Sequence, residues 1–251
     1  MDPKARTGSA TAKRFVMGNE MVLSPQLITG AEVLYVCFEV EDQEALKSLA
    51  PEGFEPANPG TAFLNQYWVP REDLHSNAGF PGSWGPYTLT YMGVELAGHD
   101  LYEGMPCRWW THYYNSSKTM ADYAKAHGLP SMAGGRTELE ISEKDVVATT
   151  YLDDKPVIRT HATYSPRVSP PVPGQLLYLT RRDGSLELGR YPFVGGVKED
   201  IEVKSIEFLD PDSPFYNLRP KQPLNVTFAV FFPDLAFCYP GGQQKFGEAP
   251  F

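Results

Sequence analysis

Cysteine is scarce in this sequence: Cys37, Cys107 and Cys238 are the only three among 251 residues. They are far apart, odd in number and set in apolar, strand-like runs. That excludes a disulfide scaffold and points to reduced core thiols in a cytoplasmic protein. No CxxC, no HExxH and no pair of histidines at ligand spacing occurs, so neither a metal nor another cofactor is expected. GxGxxG, GxxxxGK[ST] and GxSxG are missing too. No apolar run approaches the roughly 18 to 20 residues of a membrane helix; the longest candidate, 226–239, is broken by Pro233 and Asp234. Lys4, Arg6, Lys13 and Arg14 come without an apolar stretch beside them, which is not the pattern of a secretory signal. Residues 1–22 therefore read as a mobile arm and 23–251 as a single domain.

Basic clusters are also rare. The net charge is −9, and the only adjacent basic pairs are Lys13-Arg14 and Arg181-Arg182. A nucleic-acid partner needs a concentrated basic face, so none is expected, and neither is a membrane. What the chain does have is apolar and aromatic residues, 42% and 13% of the total, enough for a sizeable core.

The dominant pattern is short β-rich runs between Pro/Gly turns. Strands are expected over 32–40, 62–69, 87–97, 108–115, 136–141, 146–152, 157–164, 176–180, 186–191, 201–208 and 224–238. A Gly/Pro-rich loop is expected over 75–86. Two short helices break the pattern: 42–49, stopped by Pro51, and 119–127, capped by Ser116 or Ser117 and ended at Gly128. Asp153-Asp154-Lys155 and Arg182-Asp183-Gly184 are hairpin signals. These elements predict a mainly β (α+β) fold, a mostly antiparallel barrel or sandwich with a few short helices.

Three stretches together resemble the acetoacetate decarboxylase superfamily. Residues 44–55 form a helix running into Pro51-Glu52-Gly53-Phe54-Glu55; residues 128–135 follow a strand and a helix and contain Leu129-Pro130-Ser131-Met132-Ala133-Gly134; and Ser213-Pro214-Phe215-Tyr216-Asn217-Leu218-Arg219-Pro220 precedes a final strand through Phe231-Phe232-Pro233. The likeness spans about residues 25–240 and implies that family's β-barrel or cone and a homo-oligomer. Its decarboxylases use a lysine amine that condenses with the substrate ketone, activated by a neighbouring cation and a dry pocket. Carried over position by position, that lysine pair falls on Ser131 and Met132. The family's arginine falls on Glu32, its catalytic glutamate on Leu89 and a second glutamate on Leu64. Lys125 is five positions before Pro130, and Lys118 remains a remote alternative amine. A Schiff-base mechanism is therefore not expected.

Strand periodicity then selects wall residues. With Leu89 facing inward, Tyr87, Tyr91 and Gly93 join it and Glu95 shares their parity; with Glu32 inward, Leu34, Val36 and Phe38 join it. One face of 108–115 would carry Arg108, Trp110, His112 and Tyr114, the other Trp109, Thr111, Tyr113 and Asn115, and either gives an aromatic wall. Glu95 is expected at a solvated strand end. This gives Arg108, His112 and Tyr114 as candidate catalytic groups. Ser131, Met132, Leu89, Tyr87, Tyr91, Glu32, Trp110 and Leu64 are the candidate substrate contacts. The expected activity is cofactor-independent: cyclisation, isomerisation or dehydration of a hydrophobic, polyketide-like secondary metabolite, held non-covalently among aromatics. Two alternatives remain, a lysine-independent decarboxylase (lyase) of a β-keto acid, and a non-catalytic small-molecule binding protein on the same fold.

Overall fold

The computed structural model describes residues 14–17, 20–23, 26–57, 60–70, 75–76, 86–98, 106–239 and 241–247. Most of the expected 75–86 loop lies outside these residues. The strands are, in chain order, β1 (Arg14–Met17), β2 (Glu20–Leu23), β3 (Gln26–Glu39), β4 (Thr61–Val69), β5 (His75–Ser76), β6 (Tyr87–Leu96), β7 (Cys107–Asn115), β8 (Ser131–Ala133) and β9 (Gly135–Ile141). They continue as β10 (Asp145–Leu152), β11 (Lys155–Thr163), β12 (Val172–Arg182), β13 (Ser185–Gly196), β14 (Glu202–Phe208), β15 (Val226–Tyr239) and β16 (Gly241–Lys245). Two helices interrupt them, α1 (Gln43–Leu49) and α2 (Lys118–Ala126). Within the segment expected as an arm, β1 and β2 pair as an antiparallel hairpin, Arg14 opposite Leu23; residues 1–13 lie outside the described part.

The large sheet runs β12-β13-β15-β3-β4-β6-β7 and closes on itself where β7 pairs in parallel with β12, Cys107 opposite Leu177. It is a barrel of mixed strand orientation with no free side along that ring, which removes the exposed edges an open sheet would carry. A second sheet, β14-β11-β10-β9, packs outside the barrel wall.

Both faces of β4 and β6 and of most of β3 are buried, so alternation there separates two cores rather than core from solvent. On β3, Val33, Tyr35 and Cys37 belong to the interior, whereas Leu34, Val36 and Phe38 face the second sheet. Between the sheets, Gln66 Nε2 donates to Thr150 Oγ1 at 2.8 Å, and Thr150 and Thr90 hydroxyls meet at 2.6 Å. Polar side chains in this dry layer are stable there because they bond one another.

Local chemistry fixes the ends of the elements. The Asp42 carboxylate accepts from Ala45 N at 2.9 Å to start α1, and Ser117 Oγ accepts from Met120 N at 3.3 Å to start α2. Gly128, at φ +84°, ends α2. Asp153 and Asp154 both take positive φ, 48° and 62°, as a tight hairpin between twisted strands requires.

Candidate functional site

A cavity of about 640 Å³ opens within one half of the barrel. Its walls come from β3, β4, β6, β7, β12, β13 and β15. Register explains the layering. Tyr35, Asn65 and Tyr91 are mutual partners across β3, β4 and β6, so they form one inward-facing row. Cys37, Phe63 and Gly93 form the next row, and Glu95 and Arg108 face each other across β6 and β7 above it. Val33, Leu176, Phe193, Val230, Phe232 and Leu235 supply an apolar side.

The polar side is built around Arg108. Its Nη2 is 3.1 Å from Glu95 Oε1, its Nε donates to the Tyr35 hydroxyl, and its Nη1 donates to the Pro106 carbonyl at 3.4 Å. The guanidinium also lies 5.2 Å from the Tyr35 ring centre and 5.8 Å from that of Phe63. Three of its five N–H groups are engaged this way, leaving two to meet a ligand. Burial works against the positive charge, but Tyr35, Cys37 and Glu95 outweigh it, so Arg108 is held above the usual arginine range. Cys37 Sγ donates to the same Glu95 oxygen at 3.5 Å. Burial, with Glu95 adding to it, pushes the Cys37 thiol up to about 12. It is a weak donor there, not a thiolate nucleophile.

Deeper in the barrel the cavity gives way to aromatic rings. Tyr91 stacks on Tyr113 at 5.5 Å and meets Trp110 edge-on at 5.6 Å; Tyr67 meets Tyr87 at 5.8 Å, with their hydroxyls 3.4 Å apart. Burial raises the pKa of Tyr67, Tyr87, Tyr91 and Tyr113, which all stay neutral phenols.

Of the residues singled out from sequence, Arg108 and Tyr91 line the cavity. Tyr87, Leu89 and Trp110 are inside the barrel, in the packed layer below it. His112 and Tyr114 are on the other face of β7, against Phe215, with ring centres 5.2 and 5.1 Å away. The reason is a β-bulge: Gly93 pairs with Trp110 and Met92 with His112, which leaves Thr111 unpaired and inverts the alternation. Arg108, Trp110 and Tyr113 consequently share the inner face, and the expected Arg108-Trp110-His112-Tyr114 face does not exist.

Glu32 also points outward. It pairs with Trp68 on the face shared by Leu34, Val36 and Phe38, and burial raises its carboxyl pKa. Leu64 faces the second sheet. Ser131 is buried on β8, level with Tyr113 in the parallel pairing, and does not line the cavity; Met132 is 54% exposed. Lys118 lies on the outside of α2, 2.5 Å from Asp122. Glu95 follows the parity of Tyr91 into the cavity and does not end its strand in solvent; Tyr35, Cys37 and Asn65 line the cavity too, although no sequence signal singles them out as site residues.

Among the described residues, no group of three or more histidine, cysteine, aspartate or glutamate side chains could hold a metal ion. No described helix is long and apolar enough to cross a membrane.

No protein-family model and no curated protein matches the chain. Solved structures do. The enduracididine biosynthesis enzyme MppR with HEPES buffer bound is similar at 16% identity, with 88% of this chain and 87% of that chain covered and a TM-score of 0.62. Acetoacetate decarboxylase from Legionella pneumophila is similar at 15% identity, with 95% and 94% covered and a TM-score of 0.62. An acetoacetate decarboxylase-like enzyme from Sphingomonas wittichii RW1 gives 14% identity, 88% and 92% coverage and a TM-score of 0.56. The closed barrel, the flanking sheet and the two short helices of this chain are the acetoacetate decarboxylase-like fold.

Proposed function

We propose that this chain is an enzyme that encloses a hydrophobic, carbonyl-bearing metabolite in the barrel cavity and acts on it without forming a carbon–nitrogen bond. The observation that carries the reading is the make-up of the cavity wall. Among the described residues it has no lysine; its one cation is Arg108 and its one carboxylate is Glu95, and these two are paired. An arginine held fully protonated is unsuited to condense with a ketone but well suited to donate hydrogen bonds to oxygen.

The chemistry follows from that pair. The two N–H groups of Arg108 not engaged with protein would meet the substrate carbonyl. Glu95, beside it, would take a proton from the adjacent carbon, while the electron pair of the C–H bond moves onto the carbonyl oxygen. The guanidinium, already fixed by Glu95, Tyr35 and Pro106, would stabilise the resulting enolate without reorganising. Returning the proton to a different carbon completes an isomerisation. Attack of the enolate on a second carbonyl of the same molecule, with the proton held by Glu95 passing to the new alkoxide, completes a cyclisation, and loss of water then gives the dehydrated product. The apolar side of the cavity would hold a flexible chain folded for that attack.

The test is to incubate the purified protein with a panel of N-acetylcysteamine thioesters of poly-β-keto acids. A product of unchanged mass, or one lower by a single water, is expected. Arg108→Met is expected to lower turnover by about 10²- to 10³-fold, as loss of an oxyanion donor does. Wild-type turnover in both Arg108→Met and Glu95→Gln would overturn the assignment. So would borohydride trapping of a ketone on the protein.

A second reading is favoured by the likeness to acetoacetate decarboxylases. Here Arg108 would bind a β-keto carboxylate and its carbonyl would accept the electrons as carbon dioxide leaves. Release of carbon dioxide from the corresponding free β-keto acids would favour this lyase.

A further inference from the structure

Asn65 is 5% exposed and lies in the cavity wall, yet half of its amide has nothing to bond. Its Nδ2 donates to the Tyr91 hydroxyl at 2.6 Å, and its Oδ1 is buried with no hydrogen-bond partner among the described residues. Register holds the two side chains together, since Asn65 and Tyr91 are direct partners on β4 and β6. Tyr91 itself is fixed by its stack on Tyr113 and its edge contact with Trp110.

An unbonded amide oxygen in a dry wall carries a desolvation cost that a ligand donor would relieve. The phenol accepts from Nδ2, so its own proton is available to the cavity. The pair thus offers one acceptor, Asn65 Oδ1, beside one donor, Tyr91 O–H. Turning the amide over changes which residue does which: Tyr91 then donates to Oδ1, while Nδ2 becomes the donor and the phenol oxygen the acceptor. In both arrangements the cavity meets one donor next to one acceptor.

We infer that Asn65 and Tyr91 form a specificity subsite for a planar, uncharged head group carrying one hydrogen-bond donor beside one acceptor. An enolised 1,3-dicarbonyl and a primary carboxamide share that chemistry. The exchange of roles within the Asn65–Tyr91 pair matches the enol best, because its hydroxyl and carbonyl exchange identity in the same way. A simple ketone, which can only accept, leaves the acceptor of the pair unbonded in either arrangement, Asn65 Oδ1 in one and the phenol oxygen in the other, and a site with a buried unpaired polar group discriminates against such an analogue.

This inference rests on the cavity being the binding site, and the experiment separates the two. Three probes of similar size are titrated into the full-length protein by calorimetry: benzoylacetone, cinnamamide and butyrophenone. Benzoylacetone or cinnamamide is expected to bind about tenfold tighter than butyrophenone, the worth of one buried hydrogen bond made rather than missed. Bound benzoylacetone is expected to show a stronger enol absorption band than the free compound. Asn65→Leu, close in volume, is expected to bring all three probes to equal affinity. Tyr91→Phe keeps the ring packing and is expected to remove part of the preference, about threefold, if Asn65→Leu fails to fold. Equal affinities in the wild type, or a preference that survives in Asn65→Leu or in full in Tyr91→Phe, would overturn the subsite and leave the cavity reading intact. Absence of binding by all three probes would overturn both.

Discussion

Glu95 and Arg108 face each other across neighbouring strands of the barrel wall, joined at 3.1 Å, with side chains only 11% and 7% exposed. A charge pair this dry is costly to assemble and more costly to break. Its position is explained by the protein groups that hold it in the cavity wall rather than by stability. Tyr35 and the Pro106 carbonyl hold the guanidinium from two further directions, and the residue lines the cavity with two N–H groups still uncommitted.

Breaking this pair from one side strands a buried charge. Arg108→Met is expected to cost about 3–5 kcal/mol, and Glu95→Gln a similar amount. Arg108→Met combined with Glu95→Gln is expected to recover most of that loss, since no unpaired charge remains. Urea unfolding of the wild type, both single variants and the double variant measures the coupling. Strictly additive losses would show that the pair contributes no interaction of its own.

Cys37 is expected to resist alkylation. Burial and the Glu95 carboxylate hold its thiol up to about 12, so the reactive thiolate is scarce at pH 8. Glu95→Gln removes the carboxylate, which lowers the thiol pKa, and the rate of labelling at Cys37 is expected to rise. Iodoacetamide labelling of the folded protein, read by mass spectrometry of the Cys37 peptide, checks both statements.

Most of the fold was legible in the sequence because its signals are local. Asp42 and Ser117 cap helices, Pro51 and Gly128 end them, and the Asp153-Asp154 and Asp183-Gly184 turns set hairpins. The site was less legible for two physical reasons. The central strands β3, β4 and β6 are buried on both faces, so apolar alternation cannot say which parity looks inward: β3 turns Tyr35 to the cavity and Glu32 away, the reverse of the expectation. The second reason is the single unpaired residue Thr111, which leaves Arg108 inside and moves His112 and Tyr114 outside. A bulge has no signature in the side-chain pattern of β7, whose two faces are equally aromatic. The carry-over to Ser131 and Met132 found the strand that follows α2, but not the cavity.

His112 is expected to act on stability and not on turnover. It sits between the Thr111 hydroxyl, 2.8 Å from Nδ1, the Pro214 backbone and the Phe215 ring. Burial lowers its pKa from 6.5 to about 4. The unfolded chain therefore takes up a proton below about pH 6.5 that the folded chain refuses until about pH 4, and wild-type stability falls through that window as pH is lowered. The full effect is about 3 kcal/mol, from 2.5 pH units at 1.36 kcal/mol each. In His112→Phe this loss is absent. The stability gap between variant and wild type is expected to narrow by that amount between pH 7 and pH 4, as read by urea titration at each pH. Turnover per folded molecule is expected to be unchanged at pH 7. A gap that stays constant with pH would show that the imidazole titrates normally in the folded state.

Gly93 is expected to be the least replaceable position beside the bulge. A β-carbon built there would be 2.0 Å from the Trp109 carbonyl oxygen and 2.7 Å from Phe63 Cζ. The first contact is with backbone, which cannot swing aside as a side chain would. Gly93→Ala must therefore push β6 and β7 apart where the register shifts, at a cost of about 3 kcal/mol or more. The displaced Phe63 ring lies next to Tyr35 and the Arg108 guanidinium, so binding should suffer along with stability. Trimming the ring with Phe63→Leu relieves only the second contact. Gly93→Ala with Phe63→Leu is therefore expected to unfold at nearly as low a urea concentration as Gly93→Ala alone. Substantial rescue by Phe63→Leu would mean that the ring, and not the Trp109 carbonyl, is what demands a glycine at this point of the strand.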